Sequence, residues 1–445
     1  MAVFVLLVLQ ASARAQTTQT YPTGTFINGY LAESWSTTQW DTEMKDLSTA
    51  GNTSIIIQAV ATASTYNQTP PLLYRYYPST VLKNLGYAYG GNDVIANALT
   101  YGKAHGIKVY IGLNFDDSWW YNENNTSWLT TAMNLGNSMA SEINTMEHLS
   151  NYSGTFAGWY WPWEMDNWNL ADSTKLSACA AALALSDGYL HKLTPGLPVM
   201  ISPFMNATSS LYTSSTWQTD LNSLFTQSKF GNGDIMAPQD SVGGTTMTVA
   251  QLPTWFAAIK ASVPAGSGIV LWCNTETFFT ATDGLLHPAN LIEILNQMQA
   301  VKPYVTNIVT FSYVHYQSPY GDWMTGLSAP GNYQALWVAY FFGITNNLKP
   351  GPVTNLTGVR NANASITLNW GAATDKYGIC TYSIYRSDAN HPSALVCILG
   401  IPEQGQLATT WTDTSASAGV TYTYQLIPTS FMGLNSLALT TVTVN

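Results

Sequence analysis

Charge is what this sequence has least of. Asp, Glu, Lys and Arg together make up 9% of its 445 residues, against roughly a quarter in an ordinary soluble protein, so the surface must be built from Ser, Thr, Asn, Gln and Tyr. The little charge present leans acidic, with a formal net of -10 and a pI near 4.9, which disfavours nucleic acid and anionic membrane as partners. No CxxC occurs, and the histidines at 105, 148, 191, 287, 315 and 391 form neither HxH nor HExxH. Zinc hydrolases built on such motifs are therefore disfavoured, and no metal or other cofactor is expected. Beyond the N-terminus no apolar run approaches the ~18 residues that span a bilayer, so no membrane insertion is expected. The oligomeric state is left open.

Aromatic residues, in contrast, are abundant: 13% of the chain, including 16 Trp and 26 Tyr. A neutral, hydroxyl-rich surface studded with rings suits uncharged carbohydrate, because rings stack on the apolar faces of sugars. The N-terminus, MAVFVLLVLQASARAQ, has an apolar run from Ala2 to Leu9 and the small-residue pattern Ala13-Arg14-Ala15. This predicts a signal peptide over residues 1–15 and a secreted or periplasmic protein, although the basic leading segment is missing. In such an oxidising compartment Cys380 and Cys397, which flank neighbouring predicted strands, could form a disulfide; Cys179 and Cys273 read as buried thiols.

From Gly24 onward, apolar runs alternate with helical segments. The runs are Gly24 to Ile27, Ser54 to Val60, Ile107 to Leu113, the start of the stretch Phe156 to Asn169 as far as Pro162, Pro198 to Phe204, Asp234 to Gln239, Ile269 to Asn274 and Thr306 to Tyr313. Pro288 to Val301 reads as a helix with Pro at its start, and Tyr333 to Phe342 as the helix closing the series. Eight such units over 16–348 predict a (β/α)8 TIM barrel. An open doubly wound sheet would carry a Gly-rich turn after its first strand, and none is present. Lys349-Pro350-Gly351-Pro352 reads as a linker, and the short alternating strands of 349–445 predict an all-β, immunoglobulin-like sandwich.

In a (β/α)8 barrel the reactive groups follow the C-terminal ends of the strands. In order, these ends offer Gln58; Asn114 with Asp116 and Asp117; Glu164 with Asp166; Asn206; Gln239 with Asp240; Asn274 with Glu276; and Tyr313 with His315. Cleavage of a glycosidic bond requires two carboxyl groups across it, and Glu164 and Glu276 fall at opposite sides of the predicted mouth. Asp240, Gln239, Asn114, Asn274, Gln58, Tyr313 and His315 are candidate substrate contacts, as are Trp119, Trp163 and Trp168 as stacking platforms. Strand alternation turns Trp159 and Trp161 away from the lumen if Glu164 faces it. Glu164 also suits a helix start, and Asp116 and Asp117 suit loop-holding roles.

The order of these carboxylates resembles the clan of retaining (β/α)8 glycosidases, in which the acid/base follows strand four and the nucleophile ends strand seven. That resemblance implies Glu164 as acid/base and Glu276 as nucleophile. The clan usually has Asn directly before its strand-four Glu, whereas Trp163 stands here. GTFING, IIIQAV, KVYIGLN, GWYWPWEMDN, ISPFMN, DIMAPQDSVG and LWCNTETF together resemble a family of secreted, glycosidase-like barrels catalogued as a domain of unknown function. PGPVTNLTG, LNW, YSIYR and GVTYTYQL resemble a fibronectin type III module. A secreted glycoside hydrolase acting on a neutral poly- or oligosaccharide is the expectation. The alternative is a non-catalytic carbohydrate-binding or adhesion protein on a degenerate barrel, with a metal-dependent deacetylase or hydrolase as a weaker third.

Overall fold

A computed structural model describes residues 20–345 and 348–445; the expected signal peptide lies outside them. The described chain forms two compact units, one made of 20–276 with 296–313 and the other of 277–295 with 314–445.

The first unit contains a closed barrel of eight strands: β1 Gly24–Ile27, β2 Ser54–Ile57, β3 Lys108–Gly112, β4 Phe156–Trp161, β5 Val199–Ile201, β6 Ile235–Met236, β7 Val270–Glu276 and β8 Asn307–Phe311. Each pairs in parallel with its sequence neighbours, and β1 closes on β8. Every strand centres on an apolar run buried on both faces, as parallel strands covered by helices require. One set of alternate residues fills the lumen: Phe26, Ile56, Tyr110, Tyr160, Met200, Ile235, Ala237 and Val309, with Trp272 and Phe311 against them. The other set faces the helices. Trp161 donates through Nε1 to Met133 Sδ (3.2 Å) and Trp159 to Thr194 Oγ1 (2.9 Å), so these two rings do point away from the lumen.

The helices in this series are α1 Thr37–Thr49, α2 Val94–His105, α3 Thr126–Met146, α4 Ser173–Leu193, α5 Ser214–Ser228, α6 Leu252–Ser262 and α7 Leu291–Val301. Polar caps start several of them: Ser36 and Gln39 form a reciprocal capping box on α1, and Asp172 accepts from the amides of Thr174 and Lys175 on α4. Helix α7 begins three residues past Pro288, because Leu286–Pro288 instead pairs antiparallel with Phe278–Thr280. No described helix is long and apolar enough to cross a membrane.

At Gly112 a Cβ would lie 2.2 Å from the Gln58 carbonyl oxygen, so only glycine lets β3 end this close to β2. Past that point the chain leaves the barrel wall. Asn114–Asp116 joins a separate four-stranded sheet with Ala61–Ser64, Leu72–Arg75 and Ala88–Tyr89.

In the second unit, helix α8 (Asn332–Phe341) packs Tyr333 on Phe431, with ring centroids 4.3 Å apart. Residues 349–445 form two antiparallel sheets. One has the order β9 Thr354–Arg360, β10 Ile366–Gly371, β13 Thr410–Asp413; the other β12 Ala394–Leu399, β11 Ile379–Ser387, β14 Tyr422–Ser430, β15 Thr440–Val444. Ile366, Leu368, Trp370, Ile384, Tyr424 and Leu426 share their core. Cys380 and Cys397 do not form the disulfide considered above; both are buried free thiols. Cys397 lies opposite Ile384, four residues along the strand from Cys380. At about 3.3 Å per residue that offset far exceeds the ~5.5 Å between bridged Cα atoms.

Candidate active site

Pro162 has no N–H to extend a ladder, and β4 ends at Trp161. Trp163 then turns into a buried ring cluster with Trp119, Trp128 and Phe115, centroids 5.5–5.7 Å apart. Glu164, on the same strand parity as the lumen residue Tyr160, follows outside the ladder. Its backbone carbonyl accepts from Trp119 Nε1 at 2.6 Å, and its Oε1 accepts from Gln239 Nε2 at 3.0 Å. Burial raises its pKa, the Gln239 bond opposes this, and the Asp166 charge adds to the rise.

Strand β7 stays in register through Glu276, opposite Phe311, and Trp272, Asn274 and Glu276 share one face. Glu276 Oε2 accepts from the Gly244 amide at 2.8 Å. Burial pushes its pKa up to about 7; the amides of Gly244 and Gly243 pull downward, and the charge of Glu164 pushes upward. The loop after β6 presents those amides by folding on itself. Ser241 and Thr245 adopt left-handed φ of 59° and 62°, Met247 N donates to Ser241 O (3.0 Å), and Ser241 Oγ accepts from Met205 N (3.0 Å).

Asp240 is fully buried and braces the loop against β7, accepting from the amides of Val242 and Glu276 at 3.3 Å each. Burial and the adjacent Glu276 hold its carboxyl well above the usual range. With its amide nitrogen turned toward them, Gln297 donates to Asp240 Oδ2 (2.8 Å) and to the Glu276 carbonyl (2.9 Å).

Ser202 ties the two sides together. Its carbonyl accepts from Gln239 Nε2 (3.2 Å), its Oγ accepts from Asn274 Nδ2 (3.2 Å), and it hydrogen-bonds the Tyr160 hydroxyl. Asn274 Oδ1 is buried with no hydrogen-bond partner among the described residues. Gln58 accepts from Asn28 Nδ2, and both line a cavity of about 150 Å³ with Tyr30, Tyr76, Pro162 and Glu164.

Glu164, Glu276, Gln239, Asp240, Asn274 and Gln58 therefore belong to the mouth of the barrel or brace it. Other candidates lie elsewhere. Asn114 is directed at α3, donating to Ala132 O at 3.1 Å, because the chain has already left the barrel wall. Trp119 and Trp163 are buried and support the Glu164 backbone instead of presenting a face. Trp168 is 42% exposed beside Tyr212, with centroids 5.6 Å apart. Tyr313 is buried, its amide donating to Thr25 Oγ1 at 2.9 Å. His315 falls in the second unit, where Nδ1 meets Asp322 Oδ2 at 3.1 Å. Asp116 and Asp117 hold the Ser64–Thr65 turn, and Asp166 accepts from the amides of Trp168 and Asn169. Sequence reasoning missed Tyr160, Ser202, Gly243, Gly244 and Gln297. Parity counted back from Glu164 would have found Tyr160, and position at a strand end would have found Ser202. Nothing local in the sequence links the two glycines to Glu276.

A family model described as "Domain of unknown function (DUF4434)" matches residues 23–323. No curated protein matches the chain. Among solved structures, a protein of Bacteroides thetaiotaomicron provisionally described as an alpha-L-fucosidase is similar at 18% identity and a TM-score of 0.58. The match covers 74% of this chain and 98% of that one. A GH18 chitinase from Pseudoalteromonas aurantia matches at 10% identity and a TM-score of 0.42, over 73% of this chain and 100% of that one. The first of these likenesses extends to the barrel fold and no further.

Proposed function

We propose, on the premise that this chain belongs to the family described as DUF4434, a domain of unknown function, that it is a glycoside hydrolase acting on a neutral poly- or oligosaccharide. The observation that carries the proposal is the pair of lumen carboxyls following β4 and ending β7, each held by a different kind of donor and close enough for the charge of Glu164 to raise the pKa of Glu276. In the reacting state Glu164 carries the proton and gives it to the departing glycosidic oxygen while Glu276 attacks the anomeric carbon. Water deprotonated by Glu164 then attacks that carbon and releases Glu276. A 150 Å³ cavity beside Glu164 is of the size of one sugar ring. The protein is exported, on this reading, and residues 349–445 act as a fibronectin type III-like spacer.

The test is a panel of neutral glycans assayed for released reducing ends, with Glu164→Gln and Glu276→Gln alongside the wild type. Hydrolysis by the wild type and its loss in both variants is the expected result. Near-normal turnover by either variant sinks the proposal. One observation favours the alternative, a carbohydrate-binding protein without turnover: the cavity is lined by Glu164 but not by Glu276. That reading predicts glycan binding with no product in any of the three proteins.

A further inference from the structure

Away from the mouth, at the N-terminal end of the strands, Asp187 and His191 stand one turn apart near the end of α4, and Asp234 immediately precedes β6. One ligand-type atom from each lies within 4.8 Å of the others. His191 Nε2 is 3.0 Å from Asp234 Oδ1 and 3.3 Å from Asp187 Oδ1. Asp234 is fully buried and locked in place: Oδ1 accepts from Val199 N and Oδ2 from Gly231 N, both at 2.8 Å. The Asp187 side chain is nine-tenths buried, yet its Oδ1 accepts no well-formed hydrogen bond among the described residues. Two buried carboxyls thus face each other with one part-exposed imidazole between them and solvent. Burial and the Asp234 charge push Asp187 up to about 7.

We propose that Asp187, His191 and Asp234 bind a divalent transition ion of the Zn2+ class, clamping the end of α4 to the starts of β5 and β6. Ligands held at 2.0–2.2 Å around a tetrahedral ion stand about 3.4 Å apart, close to the two separations His191 already makes. One imidazole with two carboxylates suits Zn2+ better than Ca2+, which takes oxygen ligands alone. The amides of Val199 and Gly231 orient Asp234 as an outer shell should, and the part-exposed His191 leaves the fourth position to water.

Titration calorimetry with ZnCl2 on the full chain, paired with thermal melts, tests the site. One equivalent of Zn2+ is expected to bind and to raise the wild-type midpoint by about 3 °C or more at saturation. Asp187→Asn and His191→Gln should each lose the binding and the shift. Co2+ in place of Zn2+ should give the wild type a visible d–d absorption band, which needs no variant to interpret. A midpoint that responds to pH but not to Zn2+, or Zn2+ binding unchanged in both variants, overturns the site and leaves a carboxyl pair sharing a proton. Neither result depends on whether the barrel mouth hydrolyses sugars.

Discussion

The ends of β4 and β7 each deliver a glutamate to the same lumen, by opposite means. At β7 the ladder continues through Glu276, whose backbone is fixed by Phe311 in register and whose carboxylate meets the amides of Gly243 and Gly244. At β4 the ladder stops before Pro162, and Glu164 is placed by side chains: Trp119 holds its carbonyl and Gln239 its carboxylate. Backbone donors cost no reorganisation and favour an anion, whereas a side-chain amide has both a donor and an acceptor end and can serve the charged or the protonated carboxyl in turn. On the proposed mechanism those are the demands on a nucleophile and on an acid.

The largest test of that contrast is to remove each carboxyl. Glu164→Gln and Glu276→Gln are each expected to lower kcat/KM by about 10³-fold or more on a substrate with a poor leaving group. A substrate whose leaving group needs no proton separates them. It should restore bond cleavage in Glu164→Gln, read as a burst of released aglycone, and do nothing for Glu276→Gln. Equal rescue of both variants would contradict the division of roles.

The second test is stability against pH. Burial pushes the Glu276 pKa up from its ordinary 4.5 to about 7, so the folded state holds the extra proton. Its contribution is fully present below about pH 4.5 and is lost as pH rises through about 7. By linkage the loss is on the order of 3 kcal/mol. The wild-type thermal midpoint should fall between pH 5 and 7.5, and that of Glu276→Gln should fall less. Parallel slopes would show that Glu276 is not the titrating group.

Third, Gly244→Pro removes the N–H that reaches Glu276 while Gly244→Ala keeps it. A Cβ there would sit 3.8 Å from Oε2, an ordinary contact. Protonated Glu276 cannot attack, so activity should decline as pH falls below about 7. The Pro variant should move that limb upward by about one unit, lowering kcat/KM roughly tenfold at pH 6. The Ala variant should leave the limb in place. Thermal melts of both guard against simple misfolding.

The barrel was legible because its signals are local and repeated: eight apolar runs, each followed by polar side chains, with parity that turned Trp159 and Trp161 outward and Glu164 inward. Asn114 obeyed the same pattern and still missed the mouth, since the close approach at Gly112 ends the barrel strand and sends Asn114 toward α3. Trp119 and Trp163 carried an aromatic signal that cannot distinguish a stacking face from a packed one; burial decides it. Cys380 and Cys397 sat on adjacent strands, but register, which composition does not encode, keeps them apart. The Gly243 and Gly244 donors were invisible for a further reason: the working group is backbone.

The smallest effect concerns the weaker anchor. Trp119→Phe preserves a ring in the cluster with Trp161 and Trp163 but deletes the Nε1 donor to the Glu164 carbonyl. That leaves a buried carbonyl unpaired, at a cost of about 1–3 kcal/mol in stability, and frees a glutamate that no ladder holds. A three- to tenfold drop in kcat is expected on poor leaving groups, where a misplaced acid hurts most, and little change on good ones. The acidic limb set by Glu276 should not move, because β7 does not rely on this indole. A shift of that limb would mean that the two strand ends are one coupled unit instead of two separately built ones.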